Sequence, residues 1–132
     1  GPTELLKMNE QGSTMDHDVA TSPESLLVGG AIQDHQEKAR DASPIHHVTE
    51  DDEPFLIVHG TKDGLVPHQQ SVDFEKVLEA AGVAATFVSI DGGGHGSGFP
   101  PEVLSIVKQF VDFHLLGVGS SPKDQTIAAS GR

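Results

Sequence analysis

Two apolar runs of strand length, separated by one amphipathic helical pattern, constrain the fold of this chain more than any other feature. Residues 55–58 (FLIV) are apolar at every position, which indicates a parallel strand covered on both faces. Residues 84–90 (AATFVSI) form the second run. Between them, apolar residues of the segment 69–81 recur at helical spacing, and Gly82 supplies a stop. The pattern predicts a strand–helix–strand unit with two parallel strands.

Each predicted strand leads into a loop that carries an ionisable side chain. Asp63 lies in the segment 59–67 (HGTKDGLVP) after the first strand, and His95 lies in the segment 91–96 (DGGGHG) after the second. The carboxyl ends of adjacent parallel strands meet at one edge of a sheet. A carboxylate there can reach the Nδ1 atom of the histidine and stabilise its protonated form. The two loops therefore predict an acid and a base that act together.

Both residues also have a structural explanation. Asp63 stands between Lys62 and Gly64, which is good turn chemistry after a strand. His95 could be an incidental residue of a glycine-rich hairpin. The strand–helix–strand spacing favours the functional interpretation because it explains both positions at once.

Other polar residues are expected to be structural or solvated. His59 ends the first strand and is expected to make a structural hydrogen bond, and His114 to be a hydrogen-bonded, partly buried residue of the last helix. The acidic segments 16–18 (DHD) and 51–53 (DDE), like the pair at 46–47 (HH), lack the spacing of metal ligands. We therefore expect no metal site in these segments.

The remainder of the chain carries weaker patterns. Residues 1–50 read as loops around short helices at 23–28 and 33–40. A last helix is predicted to open at Pro100-Pro101 and to end at Gly117. Residues 118–132 have little to bury and are predicted to be a disordered tail.

Composition excludes several classes of function. The 132 residues include 20 acidic and 8 basic side chains, and a formal charge of −12 would repel a nucleic-acid backbone. The absence of cysteine excludes disulfides, thiolate metal sites and a cysteine nucleophile. It is compatible with a reducing and with an oxidising compartment. No apolar run has the length of a membrane span.

Several short motifs together resemble a known family. They are 43–45 (SPI), 54–60 (PFLIVHG), Asp63, 66–67 (VP) and 94–96 (GHG). In this combination they resemble the C-terminal half of an α/β-hydrolase esterase or lipase, in the acetyl-esterase and feruloyl-esterase-like branch. The turn at residues 1–3 (GPT) is similar to one that follows the nucleophile strand in that group, which favours a native start.

The resemblance implies a fold and a mechanism. Residues 1–117 would be the C-terminal part of a doubly wound parallel sheet with flanking helices, and 13–42 would be a candidate cap or loop segment. Asp63 would orient His95, and His95 would take the proton of a nucleophilic serine. The implied activity is hydrolysis of a small-molecule carboxylic ester, with no cofactor.

The nucleophile of such an enzyme is missing from the sequence. No Gly-x-Ser-x-Gly motif and no His-Gly-Gly-type oxyanion motif occur in the chain. Ser97 lies in GHGSG, where His95 occupies the place of the first glycine and no strand-to-helix elbow is predicted. We expect the nucleophile upstream of residue 1, and an isolated chain that is inactive.

Two further hypotheses stay open. The first predicted strand needs neighbours on both sides, from a missing N-terminal half or from another copy of the chain. The chain would then be an inactive hydrolase-like module that forms a homodimer or binds a partner through a strand edge. Alternatively, the parent protein is a peptidase or lactone hydrolase of the same fold, since these share the acid and base loops.

Overall fold

The computed structural model describes residues 1–131, which contain a three-stranded parallel sheet with flanking helices. The strands are β1 (Phe55–Gly60), β2 (Ala85–Asp91) and β3 (Gln125–Ala128). β2 is central and pairs in parallel with both neighbours. The predicted α/β class and the predicted parallel strand pair are confirmed.

Four α-helices and three short 3₁₀ turns surround the sheet. The helices are α1 (Pro23–Val28), α2 (Gln36–Asp41), α3 (Gln69–Ala80) and α4 (Glu102–Leu116). The 3₁₀ turns are Leu5–Lys7, Ile32–Asp34 and Pro44–His46. Within residues 1–131, no helix combines the length and the apolar character needed to cross a bilayer.

The helices begin and end largely where the capping residues indicate. The Ser22 hydroxyl accepts the Ser25 N–H at 3.1 Å, and Gly29 closes α1 with a left-handed φ of 88°. The predicted helix at 33–40 is instead split into a 3₁₀ turn and α2. His35 separates them because its backbone (φ −124°, ψ 40°) is not helical.

The two faces of β1 and β2 are covered by different helices. Ile57 packs with the cluster around Leu78 of α3, whereas its neighbour Val58 packs with the cluster around Ile106 of α4. Consecutive strand residues point to opposite faces, so α3 and α4 lie on opposite sides of the sheet. The structure is thus a doubly wound arrangement, as predicted.

The predicted disordered tail is wrong for residues 125–128, which form β3. Gln125 pairs with Val88 of β2, and Ile127 packs against the core on the α4 side. The composition of the tail did not indicate this strand. Residues 125–128 are ordered by pairing with the edge of β2 and not by their own apolar content. Arg132 of the predicted tail lies outside the described residues.

The second edge of β1 has no strand partner among residues 1–131. Leu56, Ile57 and Val58 consequently stay half-buried, although their sequence is that of a fully covered strand. The expected neighbour on each side is therefore observed on one side only.

The N-terminal segment has its own small core and is tied to α3. The buried residues that pack together in this core are Leu5, Val28, Ile32 and Ala39. Gln70 of α3 is fully buried, and its Oε1 atom accepts the backbone N–H groups of Thr3 and Glu4, each at 2.7 Å. This side chain joins the N-terminal segment to the sheet unit.

Candidate active site

The loops after β1 and β2 bring Asp63 and His95 together. The backbone N–H of Lys62 donates to the Gly93 carbonyl at 2.8 Å, which fastens one loop to the other. Nδ1 of His95 donates to Oδ2 of Asp63 at 2.8 Å. The two residues singled out from the sequence are therefore in direct contact, 32 positions apart in the chain.

The acid of this pair is enclosed and the base is accessible. The side chain of Asp63 is 5% exposed and that of His95 is 54% exposed. Within residues 1–131, Nε2 of His95 has no hydrogen-bond partner, whereas Nδ1 is held by the carboxylate. A neutral His95 in this geometry carries its proton on Nδ1 and presents a proton-accepting Nε2 atom to its surroundings.

Asp63 is also held by the backbone of its own loop. Its Oδ1 atom accepts the N–H of Leu65 at 3.0 Å and the N–H of Val66 at 2.9 Å. Burial raises the pKa of Asp63, but the hydrogen bonds from Val66, His95 and Leu65 outweigh it and hold the pKa below its ordinary value of 3.8. The side chain is therefore ionised at neutral pH, as a residue that stabilises a protonated imidazole must be.

Glycines allow the two loops to approach each other. A Cβ atom on Gly60 would lie 2.3 Å from the carbonyl oxygen of Gly93, so the end of β1 tolerates no side chain there. In the histidine loop, Gly92 and Gly96 adopt left-handed φ angles of 82° and 65°. The spacing between Asp63 and His95 thus depends on glycine at positions that carry no chemistry.

His59 makes the structural hydrogen bonds expected of it, and one of them leads to the site. Its side chain is 9% exposed, with Nδ1 2.6 Å from the Ser71 hydroxyl and Nε2 3.0 Å from the Val66 carbonyl. The same Nε2 atom lies 3.2 Å from Oδ2 of Asp63. His59 therefore contacts Oδ2 of Asp63, the oxygen that also bonds His95, whereas the loop N–H groups bond Oδ1.

The sequence reasoning missed a buried group next to the acid loop, formed by Ser13, His17 and Glu24 and called here the His17 cluster. His17 is 1% exposed, with Nδ1 2.9 Å from the Glu24 carboxylate and Nε2 2.8 Å from the Ser13 hydroxyl. Nε2 also lies 3.0 Å from the carbonyl oxygen of Leu65, two residues after Asp63. No local pattern indicates this role, because Ser13 and Glu24 are near in sequence but match no motif, and the Leu65 carbonyl is 48 positions away.

The histidine pair at 46–47 takes no part in the site. Nε2 of His46 lies 2.7 Å from the carboxylate of Glu4, and Nε2 of His47 donates to the carbonyl of Asp41 at 2.8 Å. Both side chains are thus occupied by contacts of the N-terminal segment.

The remaining candidates also have structural roles. His114 is half-buried and lies 3.2 Å from the Ser121 hydroxyl, as expected of a satisfied helix residue. Ser97 stands in a hairpin-like bridge with Gly94 and in no strand-to-helix elbow. The local backbone that activates a nucleophilic serine is therefore missing around Ser97.

Three carboxylates away from this site lie close enough to share a cation. Glu75, Glu79 and Asp124 have ligand atoms within 4.8 Å of one another, at the α3 and β3 side of the sheet. Burial raises the pKa of Glu75, and the neighbouring charges of Asp124 and Glu79 raise it further. Asp124 is already engaged, since it accepts the Phe87 N–H at 2.9 Å.

A groove of about 460 Å³ runs along the free edge of β1 to the acid and base. Its walls include Leu56, Val58 and Phe99 on the apolar side and Asp63 and His95 at one end. The accessible face of His95 therefore opens onto a partly apolar depression.

Comparison with known proteins identifies the family. Residues 1–78, more than half of the 132-residue chain, match the BD-FAE family. The chain belongs to this family. The matched region includes Asp63 but ends before His95, so the pairing of these two residues is supplied by the structure and not by the family match.

Similar proteins place this BD-FAE chain among esterase-like hydrolases. It is 38% identical over 74 residues to Esterase LipC of Mycobacterium tuberculosis (strain ATCC 25618 / H37Rv), covering 55% of this chain and 18% of LipC. The structure of a truncated form of a carbohydrate esterase from gut microbiota matches with 38% identity and a TM-score of 0.61, over 73% of this chain and 33% of that one.

A second solved structure covers more of the chain. A bifunctional GH43-CE protein of Bacteroides eggerthii matches with 33% identity and a TM-score of 0.74, over 90% of this chain and 16% of its own. The chain thus spans between about one sixth and one third of the length of these three proteins. It has the architecture of part of an α/β-hydrolase, and the predicted resemblance to an esterase is confirmed at the level of the family.

Proposed function

We propose that this BD-FAE chain contributes the acid and the general base of a serine carboxylic-ester hydrolase, with Asp63 as the acid and His95 as the base. The observation that carries the proposal is the 2.8 Å contact between an enclosed carboxylate and an accessible imidazole. The partner residues are those that a Ser-His-Asp triad requires, in the chain order of an α/β-hydrolase. The nucleophile and the oxyanion donors come from a segment outside this sequence.

The geometry supports a two-step acyl transfer. Nε2 of His95 accepts the hydroxyl proton as the serine oxygen forms a bond to the ester carbonyl carbon. The same proton then passes from Nε2 to the departing alkoxide, which leaves an acyl-serine ester. Water repeats the sequence and releases the carboxylic acid. Asp63 stays ionised throughout and stabilises the imidazolium formed in each step.

The decisive experiment uses a longer protein that contains this chain and the segment with the serine elbow. Hydrolysis of p-nitrophenyl acetate is measured for the parent and for His95→Ala, which is expected to lower kcat at least about 10⁴-fold. Ser97→Ala is the matched control and is expected to keep full activity. An active parent protein that is indifferent to His95→Ala would refute the assignment.

The 132-residue chain alone is expected to be inactive, because its sequence holds no serine in an elbow motif. Incubation with a fluorophosphonate, followed by intact-mass measurement, is expected to show no adduct. A stoichiometric adduct that disappears in Ser97→Ala would instead make Ser97 a nucleophile and contradict the proposal.

The free edge of β1 favours a second candidate function, which is self-association. Its backbone groups have no strand partner among residues 1–131, and its apolar side chains remain half-buried. An open edge of this kind pairs readily with another strand. We infer that two copies of the isolated chain associate through β1 and cover the groove beside it.

Sedimentation velocity of the isolated chain over a wide concentration range tests this candidate. A dimer is expected. Leu56→Pro in β1 is expected to return the chain to a monomer, because the Phe55 N–H bonds towards β2 (Ala84 O, 2.9 Å), so the N–H of Leu56 faces the free edge, where proline blocks strand pairing. Leu104→Lys, at an exposed position on α4, is the control and is expected to leave the dimer intact. A folded monomer at all concentrations would eliminate self-association as a function.

A further inference from the structure

His59 is a buried imidazole in direct contact with Asp63. Its side chain ends β1 and is 9% exposed, and Nε2 lies 3.2 Å from Oδ2 of Asp63. His95 reaches the same oxygen from the accessible side at 2.8 Å. Oδ2 of Asp63 is therefore shared between two imidazoles, only one of which faces the groove.

The partners of His59 determine where its proton lies. Nε2 faces the carbonyl oxygen of Val66 at 3.0 Å as well as the carboxylate of Asp63, and both groups can only accept. Nε2 must therefore carry a hydrogen in either protonation state of the ring. In the neutral ring, Nδ1 accepts the hydroxyl hydrogen of Ser71 at 2.6 Å.

The Nε2–H group of His59 also faces the carboxylate of Asp63. Oδ1 of Asp63 accepts the N–H groups of Leu65 and Val66, and Oδ2 accepts Nδ1–H of His95 at 2.8 Å. Nε2 of His59 donates to the Val66 carbonyl and lies 3.2 Å from the same Oδ2 atom, so its N–H acts on Oδ2 at close range. The carboxylate is thus held between two backbone donors, His59 and His95.

We propose that His59 is a positioning residue, which fixes the rotation of the Asp63 carboxylate and the Val66 carbonyl beside it so that Oδ2 faces His95. The proposal rests on the proposed function, because positioning the acid matters only if His95 acts as the base. His59 touches no reacting atom, so its effect reaches the chemistry through Asp63. It acts by selecting the Nδ1–H tautomer of His95, the form that leaves Nε2 free to accept a proton.

Two substitutions separate the contacts of His59. In His59→Gln, the side-chain amide nitrogen reaches the place of Nε2 and can keep the N–H that faces Val66 and Asp63. In His59→Asn, the shorter amide reaches only the place of Nδ1, so the contact with Ser71 survives and the N–H that faces Val66 and Asp63 is lost. Ser71→Ala is the matched control, since it removes the Nδ1 partner and leaves Nε2 in place.

The readout is the tautomer of His95, measured from the ¹⁵N chemical shifts of its ring in the 132-residue chain near pH 8.5, about two units above the ordinary histidine pKa. The wild-type chain is expected to hold neutral His95 mainly as the Nδ1–H form. His59→Asn is expected to shift the ratio roughly three- to tenfold towards the Nε2–H form, the size of effect expected from one lost hydrogen bond. His59→Gln and Ser71→Ala are expected to stay near wild type.

Each other outcome overturns the proposal. A folded His59→Asn variant with an unchanged His95 tautomer would make His59 merely structural, and a His59→Gln variant that behaves like His59→Asn would show that the donor is irrelevant. If His59→Asn does not fold, the wild-type ¹⁵N shifts of His59 decide, because an Nε2 atom without hydrogen contradicts the proposal. None of these measurements uses catalysis, so they succeed or fail independently of the ester-hydrolysis test.

Discussion

Asp63 shows at the scale of a single residue how burial and hydrogen bonding compete. Its side chain is 5% exposed, which disfavours the charged form, yet three donors bond to it and its pKa is lowered. The donors outweigh burial because each one interacts with the full negative charge at short range. An enclosed carboxylate is thus kept ionised by hydrogen bonds, with no lysine or arginine of residues 1–131 paired to it.

The lowered pKa of Asp63 predicts a loss of stability in acid. In the unfolded chain the carboxyl group binds its proton near pH 3.8, above its folded pKa, so the unfolded state takes up more protons as the pH falls. The stabilisation is present above about pH 3.8 and is lost as the pH falls through the folded pKa. Asp63→Asn is expected to lower the free energy of unfolding at neutral pH. The difference in this free energy between the variant and the wild type is expected to be smaller near pH 3.

Urea denaturation of both proteins at the two pH values provides the measurement. The difference between the two chains isolates Asp63 from the other carboxylates, which titrate in both proteins. A constant difference between pH 7 and about pH 3 would show that Asp63 has the same pKa in the folded and unfolded states.

Gly60 is a position at which one added methyl group is expected to disturb the site. A Cβ atom there would lie 2.3 Å from Gly93 O and 2.7 Å from Gly94 O, both of them backbone atoms of the histidine loop. Gly60→Ala is expected to push this loop away and to destabilise the chain by about 1–3 kcal/mol. The hydrogen bond from His95 to Asp63 is expected to lengthen or break, with loss of the Nδ1–H tautomer in the ¹⁵N spectrum.

The control for this substitution is Gly1→Ala, where an added Cβ meets no atom within 4 Å. It is expected to leave both the stability and the His95 tautomer unchanged. An equally silent Gly60→Ala variant would mean that the two loops adapt to each other freely.

At the scale of elements, the segment before α1 is bonded to the loop that carries the acid. Thr14 donates both its N–H and its hydroxyl to the carbonyl of Gly64, each at 2.7 Å, and the His17 cluster reaches the carbonyl of Leu65. Together with His59 at Val66, this leaves every carbonyl from 64 to 66 with a donor. The segment predicted as a candidate cap therefore begins as a support for the acid loop, and whether it also covers substrate stays a prediction.

The His17 cluster is predicted to matter for stability because it is enclosed. His17→Ala removes the partner of a Glu24 side chain that is 10% exposed, and leaving a buried charge unpaired costs about 3–5 kcal/mol. The chain contains a second pair in His46 and Glu4, where the carboxylate is equally enclosed at 9% exposed but the histidine side chain is 41% exposed. His46→Ala is expected to cost less than His17→Ala, because removing an exposed ring lets water reach the Glu4 carboxylate.

Chemical denaturation of the two variants gives the comparison directly. Similar losses of unfolding free energy in His17→Ala and His46→Ala would mean that the burial of the His17 cluster does not increase its contribution to stability.

At the scale of the whole molecule, a buried glutamine bridges two separate apolar cores, alongside the bonds that Thr14 and the His17 cluster make to the acid loop. Gln70 on α3 accepts the N–H groups of Thr3 and Glu4 and donates to the Glu4 carbonyl at 2.9 Å, while the apolar clusters of the N-terminal segment and of the sheet are distinct. Its position between the two parts makes it a link on which their cooperative unfolding depends.

Gln70→Ala is therefore expected to cost about 1–3 kcal/mol, since it leaves buried N–H groups without an acceptor. Gln69→Ala, one residue earlier and exposed, is expected to change stability by less than about 0.5 kcal/mol. Urea unfolding followed by two probes, one in each part, measures the effect and is expected to show the two transitions separating in Gln70→Ala. A single unshifted transition would show that the link is dispensable.

Local sequence determined the elements and the position of the acid and base. The apolar run before His59, the helical spacing of α3 and the caps at Ser22 and Gly29 each follow from forces within a few residues, so they were readable without the fold. The meeting of Asp63 with His95 was predictable too, because parallel neighbouring strands always present their carboxyl ends at one edge.

Only the tertiary structure decided which side chains hold the site in place. Gln70 and His17 bond Thr3 and Leu65, which are 67 and 48 positions away. The partners of His59 lie 4 to 12 positions away, on a turn and on the next helix, which meet the end of β1 only in the fold. The same holds for β3, whose residues are ordered by the edge of β2 that receives them. Hydrogen bonds between distant segments form only after packing has brought them together, and this is why sequence alone identified the reacting pair but not its support.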